Sequence, residues 1–181
     1  FVGEAPGAAE DALGQPFRGP AGQLLDQIIE RALSQWQVPG TDGPGYNSVT
    51  YALTNLVCCF PREAKAVGDN EPEHNEITAC HPRLVEFINI AQPRLIVCVG
   101  ALARQYIGHN ETVRHVDMVH PAHVLRKDVP LVKKQSMVQH TVVVIRNAVE
   151  EMLESNRTEF TKWRVEYANI QITDRKHLRA A

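Results

Sequence analysis

The start of the chain combines carboxylates, an aromatic residue and turn-forming residues in the string GEAPGAAEDALGQPFRGPAGQLL. Glu4 and Glu10 place carboxylates beside a turn that Gly3 and Gly7 make tight enough for a ligand to approach the backbone closely. Phe17 lies between glycine- and proline-containing pairs, and an aromatic ring held in such a loop is a candidate stacking platform for a base. Without the rest of the string, these glycines and Phe17 would equally fit an ordinary strand-to-helix loop.

Two further polar residues lie at the ends of predicted strands. Asn55, in the run TNLVCC, offers a hydrogen-bond donor and an acceptor on one planar group. His120 opens the string HPAHVLRK directly after a short predicted strand. Taken singly, the asparagine would cap a strand, and a histidine before proline would be structural.

The four cysteines are Cys58, Cys59, Cys80 and Cys98. Because no secretion signal is visible, they are better interpreted as thiols or metal ligands than as disulfides. Cys98 lies inside an apolar strand and is expected in the core. Cys58 is adjacent to a ligand candidate, and its role stays open.

Strand and helix patterns alternate along the chain. The predicted strands are Phe1-Val2, Val49–Val57, Leu95–Val99 and Val116–Val119, the predicted helices are Gly22–Gln35, Glu73–Ala91, Ala101–Ile107 and Ser136–Glu154, and the predicted loops are Val38–Asn47 and Arg62–Glu73. The alternation predicts a three-layer α/β/α fold with a central, mainly parallel four-stranded sheet. In such folds the ligand site lies beyond the carboxyl ends of the strands.

The length of 181 residues suits one domain, which we place at 1–154, followed by a tail at 155–181 that either docks as a short helix or trails free. The chain opens at Phe1, inside a strand, which predicts a truncated N-terminus. No apolar run is long enough for a membrane span. The net charge of −2 argues only mildly against DNA, since positive charge can be concentrated locally.

The strings GEAPG, ED, GQPF and AGQLLD together resemble the first motif of the family 4, iron–sulfur type of uracil-DNA glycosylase. The resemblance extends roughly from Phe1 to Leu153 and implies the fold of that superfamily. It also implies a repair enzyme that flips uracil out of DNA and hydrolyses its glycosidic bond, leaving free uracil and an abasic site.

By this resemblance, Glu4 lies near the attacking water, and main-chain amides around Ala5 bind the base. Glu10 would fill the pocket floor and exclude the thymine methyl, and Phe17 would stack on the flipped uracil. Asn55 matches the asparagine of the family string N-V-V-K-C. Its amide suits the paired carbonyl and N–H of uracil and rejects cytosine, whose inverted pattern leaves buried polar groups unpaired.

The string HPAHVLRK resembles the HPSxLLR motif of the same family. His120 would hydrogen-bond the uracil carbonyl oxygen and stabilise the anion that develops as the base leaves. Val124 and Leu125 would wedge into the base stack, and Arg126 and Lys127 would meet phosphates.

Cys59 and Cys80 match the two downstream ligands of the family's [4Fe–4S] cluster. A cluster of this kind takes four thiolates, so the resemblance implies a CxxC pair upstream of Phe1. The cluster is expected to be structural, holding a DNA-facing loop, and no metal is expected to perform the chemistry.

The expected partner is uracil in single- or double-stranded DNA, bound by a monomer without a membrane. The expected location is the cytoplasm and nucleoid of a bacterium or archaeon, or the host cell of a virus. Two alternatives keep the fold: a glycosylase for another modified pyrimidine, and an idle DNA-binding module of a larger replication or defence protein. A flavodoxin-like small-molecule protein would leave Phe17, Asn55 and the histidine string unexplained.

Overall fold

The computed structural model describes residues 1–36, 49–61, 71–107 and 113–155. Its elements are, in chain order, β1 (Val2–Gly3), α1 (Ala8–Leu13), α2 (Pro20–Leu33), β2 (Thr54–Asn55), α3 (His74–Ala91), β3 (Leu95–Val99), α4 (Ala101–Ile107), β4 (Arg114–Met118), α5 (Pro121–Leu125) and α6 (Leu131–Ser155).

The strands of the described residues form one four-stranded, all-parallel sheet in the order β2-β1-β3-β4. Gly3 pairs with Asn55, and Val99 pairs with Met118, so the carboxyl ends of neighbouring strands lie level. The chain passes from β1 to β2 on one side and then returns to β3 on the other. The strand order therefore reverses beside β1, which is where open parallel sheets bind ligands.

Two apolar clusters cover the two faces of this sheet. Alternate residues of β3 divide between them: Ile96 and Cys98 face the cluster that contains α3 and α4, and Val97 and Val99 face the cluster that contains α2 and α6. This alternation confirms the predicted three-layer α/β/α fold and the prediction that β3 is buried on both faces. Cys98 is 2% exposed, as expected for a core thiol.

Local sequence signals explain where α2 and α3 begin and where α3 ends. Pro20 occupies the first turn of α2, where a missing N–H and a preset φ cost nothing. The N–H of Glu73 donates to the Glu76 carboxylate at 2.7 Å, closing a capping box before α3. The helix ends at Gln92, which adopts a left-handed conformation with φ 44°.

The structure corrects several element bounds. The predicted strand Val49–Val57 is paired only at Thr54–Asn55, because β1 offers just two residues to pair with. β4 begins at Arg114, two residues before the predicted strand, since it pairs along the whole of β3. α6 begins at Leu131 rather than Ser136, directly after Pro130. The helices α1 and α5 were not predicted, because both are too short for an apolar stripe to reveal them.

The predicted loop at 38–47, most of the loop at 62–73, and the tail after residue 155 lie outside the described residues. The proposed division into a domain and a tail therefore stays a prediction. Among the described helices, none has the length and apolar character needed to cross a membrane.

Candidate functional site

Glu4 and His120 meet at Gly100, the residue that follows β3. A Cβ atom added to Gly100 would lie 2.9 Å from Glu4 Oε1 and 3.2 Å from His120 Cδ2. Gly100 also has φ +99°, a conformation that side-chain-bearing residues rarely adopt. The glycine thus lets a carboxylate and an imidazole from two different strand ends approach one point.

The imidazole of His120 is oriented by the backbone N–H of a residue two positions later. The N–H of Ala122 donates to His120 Nδ1 at 3.2 Å, so Nδ1 is the acceptor and the proton of a neutral ring resides on Nε2. Burial lowers the pKa of His120, which favours this neutral form. A neutral ring that carries its proton on Nε2 is suited to donate a hydrogen bond to a developing anion.

Phe17 and Asn55 meet at Gly3, the last residue of β1. A Cβ atom at Gly3 would lie 2.6 Å from both Asn55 Oδ1 and Phe17 Cζ. Asn55 is 7% exposed and Phe17 is 8% exposed, so the amide and the ring lie side by side in a nearly dry setting. An amide and an aromatic ring held close together can read a planar base by hydrogen bonding and stacking.

The backbone of Phe17 is unusual and is held by its neighbours. Phe17 has φ 56°, a left-handed conformation that costs a side-chain-bearing residue about 1 to 2 kcal/mol. Its carbonyl group rests against α2, where a Cβ atom at Gly22 would lie 1.9 Å from Phe17 O. The ring is therefore directed toward Gly3 by the fold and not by local preference.

Glu10 braces the same loop. Its carboxylate accepts hydrogen bonds from the N–H groups of Arg18 at 2.7 Å, Gly19 at 2.6 Å and Gly7 at 3.1 Å. Partial burial opposes ionisation of Glu10, but these N–H groups outweigh it and hold its pKa below the ordinary value. These hydrogen bonds hold the loop that carries Phe17. The role of Glu10 as the pocket floor stays a prediction.

Replacing Gly22 with alanine should destabilise the protein and displace Phe17. Alanine is ordinarily the better helix former, but its Cβ would collide with Phe17 O, and relieving such overpacking costs about 1 to 3 kcal/mol. Chemical denaturation would measure the change in free energy of unfolding. Gln23→Ala, at the exposed neighbouring position in α2, is the control. A Gly22→Ala protein as stable as the control would contradict the tight contact.

The HPAHVLRK string forms α5 and the turn after it, at the carboxyl end of β4. Leu125 is 42% exposed and Arg126 and Lys127 are exposed, as the predicted DNA contacts require. Val124 is only 4% exposed and packs into the interior. The structure therefore disagrees with a wedge made by Val124, and a wedge here would consist of Leu125.

Three cysteines approach one surface beyond β2. Cys58 Sγ lies 3.5 Å from Cys80 Sγ, and the N–H of Cys58 donates to the same sulfur at 3.4 Å. Cys59 is exposed beside them. Partial burial opposes thiolate formation at Cys80, but the Cys58 N–H and the Arg83 guanidinium together lower its pKa. The structure thus pairs Cys80 with Cys58, while ligation by Cys59 stays a prediction.

Sequence reasoning did not single out Gly100 or Arg83. A glycine directly after a buried parallel strand is a usable signal for Gly100, whereas nothing in the local sequence marks Arg83. A cavity of about 450 Å³ lies at the amino ends of the strands, and its lining includes Phe1, Arg94 and Met152. None of the candidate site residues lines it. We place the candidate site at Gly3 and Gly100, because Glu4, Asn55 and His120 converge there from three different strand ends.

Residues 1–144 match the family model described as the uracil DNA glycosylase superfamily. The chain is 40% identical over 107 residues to the type-4 uracil-DNA glycosylase of Sulfurisphaera tokodaii, covering 59% of this chain and 41% of that protein. It is 36% identical over 107 residues to the protein of the same name from Saccharolobus solfataricus, covering 59% and 42%. It is 32% identical over 106 residues to the one from Thermotoga maritima, covering 59% and 46%. The matched region spans less than half the length of these relatives.

Proposed function

We propose that this chain, which belongs to the uracil DNA glycosylase superfamily, excises uracil from DNA. One observation supports this most: two consecutive residues, Gly3 and Glu4, join a base-reading half and a hydrolytic half. Gly3 backs the Phe17 ring and the Asn55 amide, while Glu4 faces His120 across Gly100. A base held in the first half would have its glycosidic bond directed toward the second.

Recognition in this proposal depends on Asn55 and Phe17. The flipped uracil would stack on Phe17 while the Asn55 amide pairs with its carbonyl and N–H edge. Main-chain amides around Ala5, directly after Glu4, would complete the hydrogen bonding to the base. Glu10 would exclude the thymine methyl from the pocket floor. Cytosine would leave the buried amide unpaired, which is a strong basis for rejection.

Hydrolysis would proceed by departure of the base ahead of attack by water. The bond between the uracil nitrogen and the sugar C1′ breaks, and its electron pair leaves with uracil as an anion. His120 Nε2–H donates to the uracil carbonyl oxygen and stabilises this charge without transferring its proton. Glu4 orients the water whose oxygen bonds to C1′, and the water proton is finally taken up by the uracil anion. The products are free uracil and an abasic site.

DNA contact would centre on the turn after α5. Arg126, Lys127, Lys133 and Lys134 carry positive charge in one short stretch that holds a single carboxylate, Asp128. This local concentration offsets the overall charge of −2 where phosphates would approach. Leu125 would insert into the base stack that the flipped nucleotide leaves.

We extend the proposal to single- and double-stranded substrates, a monomeric state and action in the cytoplasm.

The deciding experiment incubates the complete natural protein with oligonucleotides that carry one uracil, one thymine or one cytosine at a defined position. Alkali treatment then cleaves the strand wherever an abasic site was made. The proposal expects breaks at uracil only. A well-folded protein that makes none at uracil would refute the proposal, and breaks at a different modified pyrimidine would reassign the substrate.

The cysteines bear on a [4Fe–4S] cluster, which such proteins hold through thiolates. Cys59 and Cys80 would act as ligands, and their thiols fit in chemistry and exposure. Within the described residues no group of three or more His, Cys, Asp or Glu side chains forms a metal site, so these cysteines supply only part of a ligand set. The cluster would stabilise the surface beyond β2 and would take no part in hydrolysis.

Substituting the cysteines one at a time should separate ligands from bystanders. We expect Cys59→Ser and Cys80→Ser to remove most of the iron from the complete natural protein, because serine is a poor ligand for a cluster that prefers thiolates. Iron analysis of the purified variants is the measurement. The control is Cys98→Ala, which changes a core thiol and should retain iron. Iron loss in Cys58→Ser but not in Cys59→Ser would transfer the ligand role to Cys58.

A further inference from the structure

Arg83, on α3, holds the strand that carries Asn55. Its Nη1 donates to Thr54 Oγ1 at 2.9 Å, and its Nη2 donates to the backbone oxygens of Asn55 at 2.6 Å and Leu56 at 3.3 Å. One side chain therefore contacts three consecutive residues of β2 and its exit. Charge-assisted hydrogen bonds of this kind are shorter and stronger than neutral ones.

The position of β2 explains why such a contact matters. β2 is two residues long and lies at the edge of the described sheet. The N–H groups of Thr54 and Leu56 donate to backbone oxygens of Phe1 and Gly3. The N–H and C=O of the intervening Asn55 therefore point to the other side of β2, away from β1. The guanidinium occupies that edge and satisfies the Asn55 carbonyl. The backbone hydrogen bonds to β1 hold the inner edge of β2, and Arg83 holds its outer edge.

We propose that Arg83 is a positioning residue that sets the orientation of the Asn55 amide for base recognition. The inference rests on the proposed function, since Asn55 reads a base only if the chain acts on one. Arg83 bonds to the backbone of Asn55, so its effect on base recognition passes through Asn55. Arg83 also interacts with the Cys80 thiol, but only an effect that passes through Asn55 disappears when the Asn55 amide is removed. Releasing the Asn55 carbonyl would let β2 shift, and the buried amide beside Phe17 would lose its alignment.

Arg146 provides a matched control for this contact. Its Nη2 donates to Arg31 O at 2.7 Å and its Nε donates to Ala32 O at 3.5 Å, so it also joins a helix to neighbouring backbone carbonyls. It does so between α6 and the end of α2, away from Asn55. Arg146→Met removes the same kind of structural contact as Arg83→Met without touching the base-reading half.

The test is a double-mutant cycle on uracil release by the complete natural protein. Arg83→Met should lower kcat/KM roughly 10- to 100-fold, the loss that misplacing a recognition group by about 1 Å produces. In an Asn55→Ala background the same substitution should change kcat/KM less than about 2-fold, because there is no amide left to position. Arg146→Met should leave kcat/KM within about 2-fold in both backgrounds.

Arg83→Lys guards against a variant that fails to fold. It keeps the charge, but a single ammonium cannot span the same acceptors as a planar guanidinium, so it should show an intermediate loss. Equal losses from Arg83→Met with and without Asn55, or no loss at all, would overturn the inference while leaving the proposed function intact. Failure of the unsubstituted protein to release uracil would overturn both.

Discussion

Removing the imidazole of His120 is expected to slow uracil release by about 10²- to 10³-fold, the usual effect of deleting one donor to a developing anion. The reason is geometric: the Ala122 N–H bonds to Nδ1, which leaves the proton of the neutral ring on Nε2, and the adjacent Cδ2 lies close to Gly100, as the Glu4 carboxylate does. The loss should appear in kcat, because the hydrogen bond strengthens only as charge develops. Single-turnover kinetics of His120→Ala on a uracil-containing oligonucleotide would measure it.

His140→Ala is the matched control, since this exposed histidine of α6 lies outside the site. It should keep the rate of the unsubstituted protein. Burial lowers the pKa of His120 from its ordinary value of 6.5. The neutral, donating form therefore persists as pH falls below 6.5, and activity dependent on it should decline only as pH passes through the lowered pKa. A rate that instead rises as His120 becomes protonated would contradict the neutral-donor role.

Asn55→Asp is expected to reduce kcat/KM for uracil by at least about 10²-fold, since a site built to pair a specific polar edge rejects a mismatch by large factors. Aspartate replaces the amide donor with an acceptor, which would face a uracil carbonyl oxygen without a proton between them. The loss should be large because Asn55 is 7% exposed and no solvent can take the place of the missing donor. Preference for uracil over cytosine should fall as well.

Competition between uracil- and cytosine-containing oligonucleotides would measure both quantities. Asn89→Asp makes the same chemical change at an exposed position of α3 and should alter neither. If Asn55→Asp released uracil as fast as the unsubstituted protein, the base-reading role of Asn55 would be wrong, and recognition would have to depend on the backbone around Ala5.

The fold was largely predictable from local patterns. The apolar run at 95–99 and the helical stretch at 101–107 coincide with β3 and α4, because a proline precedes the first and a glycine separates it from the second. The strand at 49–57 was overestimated because β-propensity does not say how many residues a neighbour will pair with. Short helices such as α1 were not predicted, because its six exposed or half-buried residues show no apolar stripe.

The site was predictable as a set of residue types but not as contacts. The strings around Glu4, Asn55 and His120 identify the family, since each combines side-chain chemistry with turn residues at a strand end. They do not say that Gly3 and Gly100 are the points where these side chains meet. They also treat Val124 and Leu125 alike, although packing against the core buries one and leaves the other exposed.

Membership of the superfamily was therefore determined by the sequence by itself, as were the candidates for the principal side chains, because motif chemistry and strand-end placement are local properties of the chain. The tertiary structure decided which atoms converge. It directs Phe17 through a left-handed backbone that Gly22 and Glu10 hold, orients His120 by a backbone hydrogen bond, and holds Asn55 through Arg83 on a distant helix. Such convergence depends on contacts between residues far apart in sequence, and no local pattern encodes their distances.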